Sequence, residues 1–355
     1  MTIVDVAKAA GVSPSTVSRV INGSTQISAA TTARVQKAMK QVGYIPSLPQ
    51  HRRGPRLKPT RGIRSGNIAV LTFGVAPRLE ATHFALNLQG ISNALCEHGL
   101  NMIYCHVTDP NSIPPCILGN NEVDGFIFVH GEPTPQIIKK IGRLPAVFLS
   151  SHHTQQGDHI ISGNHEVGHI AANYLIQRGH TRLAFLNGIP AYAANRARGE
   201  GFLFSAFKHG VTDVAMLVGP TDKPESVRAK DLQELDGRVS GLVEQLLELS
   251  PRPTGMFVPQ DKMTAVVYRE LSAQGVKAGC DITIVSADNE APYLAGLYPR
   301  PATIDIGIDE QGRKAIDLLL WRMGNQDSTS SPLHVTLKPS LIEQDNASVQ
   351  SHGGL

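Results

Sequence analysis

Acidic side chains are almost missing from the first 66 residues of this chain. Asp5 stands there alone against eleven lysines and arginines, a net of +10, whereas the whole 355-residue sequence holds 33 basic and 30 acidic groups. The other 289 residues therefore carry 22 basic and 29 acidic side chains, a net of −7. A basic head on an acidic body is the asymmetry of a chain whose one end lies along a phosphate backbone. Other scarcities exclude whole classes. No run of about 18 apolar residues occurs, so no membrane-spanning helix is expected. The N-terminus lacks an apolar signal region before a cleavage site, and the expected location is the cytoplasm. The four cysteines, Cys96, Cys105, Cys116 and Cys280, have no C-x-x-C spacing and are expected to stay reduced and structural. No cofactor and no metal are expected.

What is present begins with two short helical patterns split by Gly11-Val12. Thr2 can cap the first, with Asp5 as the acidic half of a capping box and Val6, Ala9 and Ala10 as an apolar face. Gly11 ends it, and Ser13 caps a second helix with Pro14 at its first position, where a missing N–H costs nothing. Two helices joined so tightly predict a helix-turn-helix. Ser28 then caps a third helix, whose stripe of Val35, Ala38, Met39 and Val42 runs to Gly43. Residues 1–46 are read as this DNA-binding domain. Residues 47–66, rich in Pro, Gly and Arg, form a basic linker.

From 67 to 346 strands alternate with helices. Strands are predicted at 67–73, 101–106, 123–129 and 146–149, with a helix over 84–98. The pattern restarts with helices at 165–178, 199–210 and 263–275 and strands at 182–186, 254–258 and 282–285. This alternation calls for parallel sheets with helices on both faces, in two α/β lobes with a first crossover near 162 and a ligand cleft between them. Residues 347–355 form a polar tail.

The stretch D-V-A-K-A-A-G-V-S-P-S-T-V-S-R-V-I-N, then I-S-A-A-T-T-A-R-V and G-Y-I-P, resembles the DNA-binding head of the LacI/GalR repressors without a gap. The resemblance implies a core similar to periplasmic sugar-binding proteins: a helix-turn-helix head on a two-lobed, periplasmic-binding-protein-like α/β core. Pro14, Ser15, Thr16 and Arg19 lie at the exposed start of the second helix, where side chains reach base edges in the major groove. Arg19 has two readings, a bidentate guanine contact or a plain phosphate contact. Lys8, Ser18 and Arg34 are expected to hold phosphates without reading sequence. Val17 and Val20 are assigned to the head's own core.

The linker departs from the family. Relatives read Y-x-P-N-x-x-A-R-x-L, whose final Leu wedges into the minor groove, and here Arg53 takes its place. Arg52, Arg53 and Arg56 are expected to enter a narrow minor groove instead, or the segment is a spacer touching only phosphates. In the core, Arg198-Gly199-Glu200-Gly201-Phe202 is similar to the family's R-x-x-G-[FYW], whose Arg grips the effector. Gln260-Asp261 stands where relatives have N-D, and Ser286-Ala287-Asp288-Asn289 where they have G-x-D-D. The effector site is thus expected from Arg198, Asp261 and Asp288, with His83, Phe84 and Tyr192 as stacking faces. Phe84 is also readable as core, and Asp261 as a helix cap. Trp321, the only Trp, falls in a late helix over 310–323, so none is left to stack a sugar in the cleft.

One motif competes. His165-Glu166-Val167-Gly168-His169 fits the zinc-peptidase pattern H-E-x-x-H. Position 175, where a third His would fall, is Leu175, and the next acid downstream, Glu200, lies far off on another predicted helix. The family match instead aligns this stretch with the segment just past the first crossover.

The sequence thus predicts a transcriptional regulator, a repressor and not an enzyme, controlled by a small molecule in the cleft. A sugar or sugar phosphate is the first expectation and a nucleobase the second. With no leucine heptad at the end, a homodimer on a near-palindromic double-stranded operator is expected. A metallopeptidase and a solute-binding protein are the rivals. The second would need an export signal and would have no use for a head of charge +10.

Overall fold

A computed structural model describes residues 2–21, 24, 27–44, 63–73, 82–109, 112, 122–129, 131, 133–142, 144–149, 157–220, 232–325 and 331–343. They fall into two compact units, Met1–Pro59 and Thr60–Leu355.

In the first unit the capping box forms: Thr2 N–H donates to the Asp5 carboxylate at 2.7 Å, and Asp5 N–H donates to the Thr2 hydroxyl at 3.4 Å. Helix α1 (Ile3–Ala10) stops at Gly11, whose φ of 61° suits a residue without Cβ. Ser13 Oγ accepts the Thr16 N–H at 3.2 Å ahead of α2 (Pro14–Ile21), and Ser28 Oγ accepts the Thr31 N–H at 3.3 Å ahead of α3 (Ala29–Gln41). Val6, Ala7, Ala10, Val17, Val35, Ala38 and Met39 form the core, with Val20 and Val42 packed at its edge. The buried face of α1 is therefore Val6, Ala7 and Ala10, and Ala9 is exposed. With Ile3 these follow i, i+3, i+4, i+7 spacing, which Ala9 does not join.

The second unit has two lobes, each with a six-stranded sheet. The first contains β1 (Asn67–Phe73), α4 (Thr82–Glu97), β2 (Asn101–Val107), β3 (Gly125–Val129), α5 (Pro135–Ile141), β4 (Ala146–Leu149) and β5 (Asp158–Ser162). The second contains α6 (Asn164–Gln177), β6 (Arg182–Asn187), α7 (Ala193–Lys208), β7 (Asp213–Val218), α8 (Leu232–Glu248), β8 (Gly255–Phe257), α9 (Asp261–Ala273), β9 (Thr283–Ala287), α10 (Ala291–Leu294) and β10 (Ala302–Asp305). The chain then returns to the first lobe through α11 (Ile308–Gly324) and β11 (His334–Leu337), and ends in the second with β12 (Ser340–Ile342).

The first sheet runs β11-β5-β4-β3-β1-β2, all parallel, and the second β12-β10-β9-β8-β6-β7 with only β12 antiparallel. Along β1, Ile68 and Val70 face the layer of α4 and α11, while Ala69, Leu71 and Phe73 face α5, the period of two that buries both faces. In the second lobe α8 and α9 cover one face, α6 and α7 the other. The chain crosses between lobes three times, after β5, β10 and β11. Gln311 Nε2 donates to Ser162 Oγ at 3.0 Å and to the Ile306 carbonyl at 2.9 Å, and Gly163 N–H donates to the Leu337 carbonyl at 3.0 Å. The three crossovers are thereby tied to one another.

One boundary differs from the predicted one in a way that matters. The helix predicted to start at Gly199 starts at Ala193, so Arg198 lies inside α7. Gly199, read as the helix start, is an interior glycine, as is Gly201. A Cβ on Gly201 would overlap the His165 carbonyl, and one on Gly168 the Arg198 carbonyl, so these glycines let α6 and α7 touch backbone to backbone.

Candidate functional site

Two surfaces carry the residues singled out in the sequence. On the head, Pro14, Ser15 and Arg19 are exposed and Thr16 and Ser18 half-buried along α2, with Val17 turned inward. The hydroxyls of Ser15 and Thr16 lie 2.8 and 2.9 Å from Ser13 Oγ, a small network at the helix start. Lys8 and Arg34 are exposed on α1 and α3. Arg52, Arg53 and Arg56 lie outside the described residues.

The second surface is built where the strands of the larger unit end, the usual crevice of such sheets. Arg198 and Asp288 are each 2 % exposed, with Arg198 Nη1 2.8 Å from Asp288 Oδ1. Arg198 Nε donates to Asn164 Oδ1 at 3.1 Å, and Nη1 donates to the Pro259 carbonyl. The guanidinium is thus committed on three sides, to α6, to the end of β8 and to the loop after β9. Asp288 and Asn289 hold left-handed φ values of 102° and 55°, which turn this loop into the cleft. Asn289 Nδ2 donates to Asp305 Oδ2 at 3.1 Å, and Asp305 Oδ1 accepts the Gly307 N–H at 2.7 Å. The loop is thereby bonded to the second crossover.

Asp261 is brought to the same place, but both of its oxygens are used within the lobe. Oδ1 accepts from Ser286 and, at 2.9 Å, from Thr303, while Oδ2 accepts the Glu290 N–H at 2.6 Å. It fastens α9 to the Asp288 loop. His83 is half-buried at the start of α4, and its backbone lies close enough to the Glu290 carboxylate of the other lobe to favour that group's charged form. Tyr192 is half-buried ahead of α7 against the α8–α9 core. Phe84 departs from a stacking role: it is buried in the first lobe's core with its ring centroid 5.9 Å from that of Tyr104. Helix periodicity explains this, since Phe84, Leu88, Ile91 and Leu95 share one face. Arg196 is exposed and donates to the carbonyls of Pro190 and Ala191.

Sequence reasoning missed Glu290, Lys262 and Asn195. Glu290 is a buried acid, and Lys262 lies within electrostatic reach of it and of Asp288. Asn195, one turn before Arg198, is fully buried and donates to Asn187 Oδ1 at 3.2 Å. Three buried acceptors around Arg198 receive no hydrogen bond: Asn195 Oδ1, Gln260 Oε1 and Asp288 Oδ1, whose contact with the guanidinium is off the N–H direction.

Burial, reinforced by the Asp288 charge, pushes the Asp261 carboxyl up from 3.8 to about 7. Burial, with Asp288 and Asp261, pushes Glu290 up from 4.5 to about 8. Burial lowers His83 and Lys262. Both carboxyls therefore keep protons in the folded state that the unfolded chain releases at lower pH. Their contribution to stability is complete below the unfolded values and is lost as pH rises through the folded ones. The melting temperature is expected to fall between about pH 5 and about pH 8, and Glu290→Gln should flatten part of that fall. Equal slopes for the two proteins would contradict the assignment.

The H-E-x-x-H residues do not converge. His165 Nε2 lies 3.2 Å from Glu200 Oε2 with both side chains exposed, Glu166 is 3.9 Å from Lys338, and the His169 ring is 5.8 Å from that of Phe204. Glu200, distant in sequence, is a neighbour after all, because the glycine contact lays α7 against α6. Among the described residues no group of three His, Cys, Asp or Glu side chains could hold a metal ion.

Comparison with known proteins then bears on both surfaces. Residues 2–47 match the model described as bacterial regulatory proteins, lacI family, and residues 172–345 a periplasmic binding protein-like domain. The chain is 28 % identical over 354 residues to the ribose operon repressor of Escherichia coli (strain K12), covering 98 % of this chain and 99 % of that one. It is 26 % identical over 351 residues to the HTH-type transcriptional repressor PurR of Vibrio atlanticus (strain LGP32), covering 97 % of each. Its fold is similar to that of the lac repressor dimer bound to operator and the anti-inducer ONPF, with a TM-score of 0.66, 23 % identity, and coverage of 97 % of this chain and 98 % of that one.

Proposed function

Because the chain belongs to the lacI family of bacterial regulatory proteins, we propose that it represses transcription by binding a double-stranded operator under the control of a small molecule held between its lobes. It works as a homodimer on a near-palindromic site, in the cytoplasm and without catalysis. Among the described residues no helix is long and apolar enough to cross a membrane. Pro14, Ser15, Thr16 and Arg19 read base edges, while Lys8, Ser18 and Arg34 hold phosphates. Arg52, Arg53 and Arg56 add minor-groove contacts.

The observation that carries the effector reading is the pair of buried amide oxygens beside Arg198, Asn195 Oδ1 and Gln260 Oε1, that receive no hydrogen bond. A hydroxyl-rich neutral sugar supplies such donors, and a buried acceptor left unmet costs about 1–3 kcal/mol. A purine base, with ring and exocyclic N–H groups, is the second reading. A phosphate ester fits less well, since Arg198 is already committed to Asn164, Asp288 and the Pro259 carbonyl. A ligand here touches the Asp288 loop, which is bonded through Asn289 and Asp305 to a crossover between lobes. Binding can thereby bias lobe rotation and the spacing of two heads, a coupling of about 1–3 kcal/mol.

A thermal-shift series of ribose, ribose 5-phosphate and hypoxanthine tests the effector class, because a true effector raises the melting temperature by mass action. The neutral sugar should shift it and the phosphate should not; a shift with the phosphate alone would contradict the reading. For the head, Arg19→Ala should relax base preference at one operator position and cost about 1–3 kcal/mol there. Uniform weakening across all duplexes would make Arg19 a phosphate contact.

A further inference from the structure

The end of the basic linker is held by one buried carboxylate. Arg64 N–H donates to Asp124 Oδ1 at 2.9 Å, Ser65 N–H to Oδ1 at 3.0 Å and Oδ2 at 3.1 Å, and Gly66 N–H to Oδ2 at 2.7 Å. Three successive amides aimed at one anion form a nest, and charge-assisted bonds of this kind are roughly twice as strong as neutral ones. Gly66 has a φ of 75°, which helps curl the backbone around the carboxylate. Asp124 is 3 % exposed and directly precedes β3, between β1 and β4 in the sheet.

The same few residues are fastened from the other side. Asn101 N–H donates to the Gly66 carbonyl at 2.8 Å, Asn101 Nδ2 to Asn67 Oδ1 at 3.0 Å, and Asp124 N–H to the Asn67 carbonyl at 2.9 Å. Ile63 packs against the core under α4 and α11. Residues 63–66, linker by composition, thus belong physically to the first lobe.

We propose that Asp124 is a positioning residue for DNA binding: it clamps the tether's end to the centre of the first lobe's sheet, so that movement of this lobe is passed to the head rather than absorbed by slack chain. The proposal rests on the regulator reading given above. A clamp at residue 63 removes four residues of freedom from a Gly/Pro/Arg-rich segment. Without it, the heads of a dimer keep their charge but lose the fixed origin that sets their spacing.

The test uses the full chain. A preferred duplex is first selected by the wild-type protein from a random pool. Affinity for it and for an unrelated duplex is then measured for wild type, Asp124→Ala and Asp124→Asn, together with hydrogen exchange at the amides of 64–66. Asp124→Ala should speed exchange at these amides and weaken the selected duplex by about tenfold, within the usual range of site-to-site coupling. The unrelated duplex should be bound as before, and Asp124→Asn, which keeps one acceptor oxygen, should fall between. Unchanged exchange, or faster exchange with full affinity for the selected duplex, would overturn the proposal. Gly66→Ala strains the same turn from the exposed side and should reproduce the pattern if Asp124→Ala fails to fold. Failure of the wild type to select any duplex would instead overturn the regulator reading, and the coupling role with it.

Discussion

Arg198→Ala is expected to remove the response to any cleft ligand and to destabilise the larger unit by about 3–5 kcal/mol, the cost of leaving a buried charge without its partner. Asp288 and Arg198 are each 2 % exposed and lie 2.8 Å apart. Taking away the guanidinium strands Asp288 and frees Asn164 and the Pro259 carbonyl, uncoupling α6, β8 and the Asp288 loop. Arg198→Lys keeps the charge but not the planar fork, and should recover only part of the loss. Chemical denaturation together with ligand-induced thermal shift checks both halves. A loss under about 1 kcal/mol, the scale of an exposed ion pair, would show that the pair is not what holds the site together.

Gly168→Ala is the second large expected effect, and it acts on the same arginine without touching it. A Cβ there would overlap the Arg198 carbonyl and the Phe202 amide, which are backbone atoms and cannot turn aside. Helix α7 has to move off α6, carrying Arg198 away from Asn164 and Asp288. Overpacking of this kind costs about 1–3 kcal/mol, and a backbone clash places Gly168→Ala at the upper end, with weakened ligand response as well. Gly237→Ala is the control. It lies in the exposed middle of α8 with open space around it, and should be neutral or stabilising by up to about 1 kcal/mol through helix propensity. Equal melting temperatures for the two variants would contradict the close-packing account.

The same glycines show where the sequence was legible and where it was not. The head could be read almost whole, because capping, turn and apolar spacing are local signals: Thr2 with Asp5, Gly11, Ser13 before Pro14, and the α3 stripe all recur in the structure. The α/β class was legible from alternation. Gly199 misled: read as a helix start, it is an interior residue of α7 whose missing Cβ leaves room for the Phe185 ring, and the two roles look alike in one dimension. The strands β5, β7, β10, β11 and β12 went unread: β10 to β12 are three or four residues long, and β7 and β11 are largely exposed, so their pattern is weak, while β5 lies at the first crossover. In the site, Arg198, Asp261 and Asp288 could be named from family resemblance, but not their division of labour. Only the fold reveals that Asp261 spends its oxygens on Ser286, Thr303 and Glu290, that Phe84 serves the core, and that Glu290 reaches His83 from the other lobe. These are contacts between segments far apart in sequence, which no periodicity encodes. Glu290 follows directly on Asp288-Asn289, and that adjacency was the one signal that could have found it.

The central claim, a basic reading head governed by a two-lobed sensor, is tested most directly by titrating the full chain with duplex DNA at rising salt. The account predicts tight binding at low ionic strength that weakens by about a thousandfold or more between 50 and 200 mM salt, as released counterions require for six or more phosphate contacts. Absence of duplex binding at low salt, or binding indifferent to salt, would contradict it.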